Sequence, residues 1–116
     1  MKLDPEAATA FVGSVLPGRW TTYGDVAAAG GSPKGAMAVG GWLMANGHRV
    51  PGVHRVLNAK GEVSDGWVAA SPDLPQTAEG VRELLHAEGA GFGASRVANP
   101  RKRWTVADWR RSEAGR

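Results

Sequence analysis

Residues 22–47 read T-Y-G-D-V-A-A-A-G-G-S-P-K-G-A-M-A-V-G-G-W-L-M-A-N-G, and the punctuation of this stretch decides the fold. Thr22 followed three residues later by Asp25 is a helix-opening pair. Its hydroxyl accepts a backbone N–H left free in the first turn, and the acid sits where the helix dipole favours it. The short helix so predicted ends at Ala29, because Gly30-Gly31 supplies the backbone freedom of a C-terminal stop. Ser32 then reads as the N-cap of a longer helix, with Pro33 at its first position, running to Asn46-Gly47. Helix, tight glycine turn, helix is the helix-turn-helix pattern. The second helix is costly in glycine: Gly35, Gly40 and Gly41 each lose about 1 kcal/mol relative to Ala in a helix interior. Close approach of another backbone would offset that loss. We expect a neighbouring helix against Gly40-Gly41, and a nucleic-acid phosphate against Gly35, with Lys34 and the helix N-terminus facing it.

Outward from this unit, Asp4 is a good N-cap and Pro5 a good first residue for a helix to Val15, with Phe11, Val12 and Val15 on its apolar face. Pro17-Gly18 ends it. On the other side, V-H-R-V-L-N-A-K-G-E-V-S from Val53 to Ser64 alternates around an Ala59-Lys60-Gly61 turn, which predicts a β-hairpin. A Gly/Ser/Pro-rich loop follows to Pro75. A last helix is expected from Thr77 to His86, with Val81, Leu84 and Leu85 on one face and Gly89 as its stop.

The 116 residues, 42% of them hydrophobic, suffice for one core. No apolar run approaches the roughly 18 residues of a membrane span, and the start M-K-L-D-P-E places acids where a leader would be apolar. We therefore expect a cytoplasmic protein with no membrane partner. The chain has no cysteine, which excludes disulfides, thiolate metal sites and a cysteine nucleophile. Its histidines, at 48, 54 and 86, have no carboxylates at ligand spacing, so neither metal nor cofactor is expected. No phosphate loop, paired-carboxylate pattern or serine triad occurs.

Charge is uneven. Residues 1–95 carry seven Lys/Arg against nine Asp/Glu, whereas residues 96–116 carry seven basic residues against two acidic. Arg96, Arg101, Lys102, Arg103, Arg110, Arg111 and Arg116 are interleaved with Trp104 and Trp109. That combination suits a polyanion, with cations on phosphates and rings on bases, and it equally describes a solvated tail. The expected organisation is one domain over 1–95 and a basic, aromatic-containing tail over 96–116.

Three stretches taken in order, L-P-G-R-W-T-T-Y-G-D-V-A (16–27), G-G-S-P-K-G-A-M-A-V-G-G (30–41) and V-H-R-V-L-N-A-K-G (53–61), resemble the DNA-binding domain of the O6-alkylguanine-DNA alkyltransferases. They are most similar to the non-enzymatic alkyltransferase-like proteins, over roughly residues 5–92. The resemblance implies a mainly α, winged-helix-like helix-turn-helix domain with a small β-hairpin. Its second helix of the pair would lie in the minor groove, and a damaged guanine would be flipped into a pocket. Transferases move the alkyl group onto the cysteine of a P-C-H-R-V motif, whereas alkyltransferase-like proteins usually carry V-P-W-H-R-V. This chain reads V-P-G-V-H-R-V (50–56), with one extra residue and Val53 at the nucleophile's place. A valine has no lone pair, so no enzymatic transfer is expected.

Carried over residue by residue, Tyr23 matches the tyrosine that presses on the phosphate of the flipped nucleotide. Met37 stands where the family has an arginine that fills the gap in the duplex, and an apolar wedge can also unstack a base step. The expected DNA contacts are Thr22, Tyr23, Ser32, Lys34, Gly35, Met37, Arg101, Lys102 and Arg103. The expected lesion pocket is Tyr23, Val53, His54, Arg55, Ser64 and Trp67, with Trp67 as an aromatic wall. Without a thiol to activate, His54 is expected to hydrogen-bond backbone or structured water behind the pocket, and Arg55 to order the loop through carbonyl or carboxylate contacts. Trp42 is expected in the core. The partner so implied is double-stranded DNA containing O6-alkylguanine, bound by a monomer that flags the lesion for nucleotide excision repair. The competing expectation is a winged-helix transcriptional regulator on undamaged DNA.

Overall fold

The computed structural model describes residues 3–32, 34–63, 73–92 and 96–114. Its first helix, α1 (Pro5–Ser14), starts as the sequence predicts: the Asp4 carboxylate accepts from the Glu6 and Ala7 N–H groups, and Pro5 occupies the first turn. Ala8, Phe11 and Val12 are fully buried, a 3–4 residue spacing that turns one face inward. The Asp4 N–H donates to the Gly30 carbonyl at 2.8 Å and ties α1 to the end of α2 (Tyr23–Ala29). α2 opens on Thr22, whose hydroxyl accepts from the Asp25 N–H at 3.1 Å and donates to the Asp25 carboxylate at 2.9 Å.

The second helix of the pair, α3, runs from Ala36 to Asn46, so its start differs from the expected Ser32 cap. The Gly35 N–H donates to the Ser32 carbonyl at 2.8 Å, making a turn out of residues that sequence alone assigns to the first helical turn. A side chain on Gly35 would place its Cβ 2.6 Å from the Ser32 hydroxyl, which gives Gly35 a local reason rather than one that needs a phosphate. Gly40 and Gly41 also differ from expectation. Among the described residues nothing lies within 4 Å of a Cβ built on either, so no described helix packs there. Val39 and Leu43 hold α3 to the core instead.

The predicted hairpin is replaced by a parallel pair. β1 (Thr21–Thr22) pairs with β2 (Val56–Leu57) in the register Thr21 to Val56 and Thr22 to Leu57, and α2 and α3 form the crossover that a parallel pair requires. Both Val56 and Leu57 are fully buried, because β2 has protein on each face, and the inside-outside alternation read from the sequence is lost. The turn itself is present. Asn58 Oδ1 accepts from the Lys60 and Glu62 N–H groups at 2.9 and 3.0 Å, and Gly61 takes φ +82°. Residues 53–55, counted as strand in the sequence reading, form a 3-10 turn. Helix α4 (Ala78–Glu88) is capped by Thr77 and stopped by Gly89 at φ +104°.

Residues 96–114 fold back onto the domain instead of forming a separate tail. Trp20 stands at the join: its indole N–H donates to the Asn99 carbonyl at 2.8 Å, and its backbone bridges in parallel to Arg103. The Trp104 indole donates to the Ser14 hydroxyl at 3.0 Å. Helix α5 (Val106–Ala114) brings Trp109 edge-on to Phe11, ring centroids 5.5 Å apart. The two tail tryptophans therefore serve the core of this fold, and stacking on bases is not their role in it.

Candidate nucleic-acid interface

The face of α3 turned away from the core carries Met37, Ala38, Gly41, Met44 and Ala45, all exposed. Met37 is 94% and Met44 62% exposed, which is high for side chains whose burial stabilises a fold by about 2 kcal/mol each. Met37 is thus not a core residue. Spaced at i, i+4 and i+7, Met37, Gly41 and Met44 share one line along the helix. That line ends in thioethers and a bare backbone, with no hydrogen-bonding side chain. The helix can approach a partner closely and can insert an apolar wedge, and it cannot exchange directed hydrogen bonds with base edges.

Around this helix, Thr22 is buried and committed to its cap, and Tyr23, half-buried at the start of α2, packs against the core. Lys34 is exposed just before α3, and Ser32 is half-buried. Arg101 and Lys102 are exposed, whereas the Arg103 guanidinium donates to the Asp25 carboxylate at 2.7 and 3.1 Å. Ser64 and Trp67 lie outside the described residues.

A cleft of about 250 Å³ opens past the C-terminal end of α3 and is lined by Gly47, Arg49, Val50, Pro51, Gly52, Val53, His54, Asp73 and Leu74. Drug-sized ligand pockets run from about 300 to 1,000 Å³, so a single planar base suits it better than a larger ligand. Gly52 takes φ +81°, and a Cβ there would lie 3.3 Å from the Val12 carbonyl and 3.2 Å from the Arg55 guanidinium. This left-handed glycine is what admits the extra residue of V-P-G-V-H-R-V: the backbone reverses at Gly52 and drops Val53, 2% exposed, into the core. Tyr23 and Arg55 do not line this cleft.

Arg55 stands behind the wall. Its Nε and Nη2 donate to Glu88 Oε1 and Oε2 at 3.0 and 2.9 Å, and its Nη1 donates to the Val15 carbonyl at 3.0 Å. The expected ordering role takes the form of a two-pronged carboxylate clamp plus a carbonyl contact, joining the cleft to α4 and to the end of α1. His54 differs from its expectation, because its Nε2 meets Glu88 Oε2 at 3.0 Å rather than backbone. Glu88 escaped the sequence reading. The one signal for it was an acid in the last turn of a helix, where the dipole disfavours negative charge and a cationic partner is needed.

Burial pushes the His54 imidazole below its ordinary 6.5, against an upward pull from Glu88, so at neutral pH the neutral ring donates Nε2–H to the carboxylate. Burial raises Glu88, but hydrogen bonds from Arg55 and then His54 outweigh it and hold the carboxyl below its ordinary 4.5. Both groups bind protons more readily in the unfolded chain, so both make stability fall on acidification. The His54 share is complete above 6.5 and declines below it. The Glu88 share is complete above 4.5 and is lost as the pH falls further. We expect urea midpoints to drop from pH 7.5 to 5.5, and to drop again below 4.5. In His54→Gln the first decline should be absent, and an unchanged first decline would assign it to other groups.

Comparison with known proteins agrees with this geometry. The family described as 6-O-methylguanine DNA methyltransferase, DNA binding domain, matches residues 6–90. The DNA base-flipping protein of Escherichia coli (strain K12) is 37% identical over 103 residues, spanning 86% of this chain and 73% of its own length. The DNA base-flipping protein of Shigella flexneri is similar to the same extent. Among solved structures, the crystal structure of S. pombe Atl1 in complex with damaged DNA containing O6-carboxymethylguanine superposes with a TM-score of 0.64 at 25% identity, covering 90% of this chain and 99% of that one.

Proposed function

Because this chain belongs to the family of 6-O-methylguanine DNA methyltransferase DNA-binding domains, we propose that it recognises O6-alkylguanine in double-stranded DNA. It does so by minor-groove binding and nucleotide flipping, without transferring the alkyl group. The observation that carries this reading is the exposed Met37–Gly41–Met44 line of α3. A regulator that reads sequence needs side-chain donors and acceptors at base edges, and α3 presents none on its open face. An apolar wedge on a closely approaching helix is the equipment of proteins that unstack a base step from the minor groove. This favours lesion recognition over the winged-helix regulator.

Three further observations support it. A chain with no cysteine offers no thiolate to accept an alkyl group, and the residue at that place is a buried valine. The cleft past the end of α3 suits one base. Relatives are named for base flipping, and a neighbour was crystallised on alkylated DNA. In this reading Met37 occupies the space the flipped base vacates, Tyr23 presses on its phosphate, and Val53 and His54 wall the cleft. The protein acts as a cytoplasmic monomer and marks the lesion for nucleotide excision repair.

Competition between duplexes that differ only by one O6-methyl group tests the proposal. We expect at least tenfold tighter binding to the methylated duplex, about 1.4 kcal/mol. A fluorescent base analogue opposite or beside the lesion should brighten on binding, as the stack opens. Equal affinity for the two duplexes would instead favour the regulator.

A further inference from the structure

The pairing that closes the fold also gathers positive charge. The Trp20 N–H donates to the Lys102 carbonyl at 3.2 Å, and the Trp104 N–H donates to the Trp20 carbonyl at 2.7 Å. Residues 101–103 therefore run beside residues 19–21. Arg19, Arg101, Lys102 and Arg103, all exposed, come to one edge of the molecule, a few residues before the first turn of α2. Among the described residues Asp25 pairs with Arg103 at 2.7 Å, and Asp108 interacts electrostatically with Arg19. Arg19 lies 5.9 Å from the centre of the Trp104 ring, with its charge offset in part by the Asp108 carboxylate. Arg101 and Lys102 have no ion pair among the described residues.

We propose that this edge is a second contact with the duplex, binding the phosphate backbone beside the groove that α3 enters. The proposal rests on α3 facing DNA, and three of its four cations, Arg101, Lys102 and Arg103, lie beyond the matched family region of residues 6–90. The shape of the patch selects the ligand. Its cations are strung along an extended segment and a 3-10 turn (Pro100–Lys102), with no described cleft among them, which fits a linear polyanion better than a small anion. Its place selects the same partner, since α2 packs against α3 and its Asp25 holds Arg103 at 2.7 Å, so that α3 and the cationic edge are both joined to one short helix. Asp25 has a positioning role in this arrangement. It neutralises Arg103, caps α2 through Thr22, and accepts from the Val106 N–H at 3.5 Å, thereby holding the cationic segment to the helix that carries Tyr23.

Exposed cations on phosphates give affinity without sequence preference, and each contact adds about 0.9 to the slope of log K against log salt. The test is that slope, measured for the full chain on plain and O6-methylguanine duplexes. Arg101→Ser/Lys102→Ser should lower it by about 2 and weaken binding to both duplexes by the same factor, about tenfold or more at 0.1 M salt. Arg82→Ser, on α4, removes a cation elsewhere and should leave the slope unchanged. A double variant with the wild-type slope, or an Arg82→Ser variant with an equal fall per charge, would overturn the proposal. The two readings separate cleanly. A lesion preference with no change of slope defeats the cationic edge alone, and a lower slope without any lesion preference defeats lesion recognition while leaving the edge standing.

Discussion

Met37→Glu is expected to weaken binding to an O6-methylguanine duplex by about a hundredfold, close to 2.8 kcal/mol, with thermal unfolding unchanged. Stability should not move because the side chain is 94% exposed and touches no core residue that its loss would uncover. Binding should, for two reasons of the same sign. The wedge that offsets unstacking of a few kcal/mol is removed, and a carboxylate is brought among phosphates, where two like charges about 4 Å apart repel by roughly 4 kcal/mol at an effective dielectric near 20. Met37→Leu keeps an apolar wedge and should bind within a few fold of the native chain. Met37→Glu bound as tightly as the native protein would remove Met37, and with it the wedge face of α3, from the interface.

The largest expected effect on stability belongs to Arg55→Ala, which should cost about 3–5 kcal/mol in urea unfolding. The Arg55 and Glu88 side chains are only 14% and 15% exposed, so truncating one leaves the other charged and largely shielded from water. The Val15 carbonyl loses its guanidinium donor as well. Against a total stability of about 5–15 kcal/mol for a domain, that loss is a large share of the whole. Replacing both partners with apolar residues, Arg55→Met/Glu88→Leu, should cost less than Arg55→Ala alone, because no uncompensated charge remains. A double variant as damaged as the sum of its singles would mean that the two side chains act separately.

How much of this was legible in the sequence depended on distance along the chain. Asp4, Thr22 and Thr77 cap α1, α2 and α4 as read, because a cap and its partners lie within a few residues. The start of α3 was misread for a local reason. Ser-Pro resembles an N-cap and first residue, but the Gly35 N–H turns back onto the Ser32 carbonyl and the helix starts only after it. Pairing of Thr21 with Val56 was not legible, since two residues on each strand carry little pattern and their partners are far apart in the chain. The same holds for Glu88, whose partners Arg55 and His54 lie 33 and 34 residues away. Trp104 and Trp109 show that composition fixes what a segment can do but not which option it takes. Rings between arginines suit a nucleic acid and suit a core equally, and here Phe11 and Ser14 claim them. Of the candidate site, the positions of Met37, Val53 and His54 and the ordering role of Arg55 came from motif order, while Glu88, the carboxylate of the clamp, did not.

A bare, thioether-edged helix also has a consequence for the time taken to find a rare target. Met37, Gly41 and Met44 offer no side chain that lingers on one base pair more than another, so a molecule diffusing along duplex on this face meets few sequence-dependent traps. Pauses would fall instead where a base leaves the stack readily, and single-molecule dwell times on long DNA should track local pairing strength rather than any sequence motif.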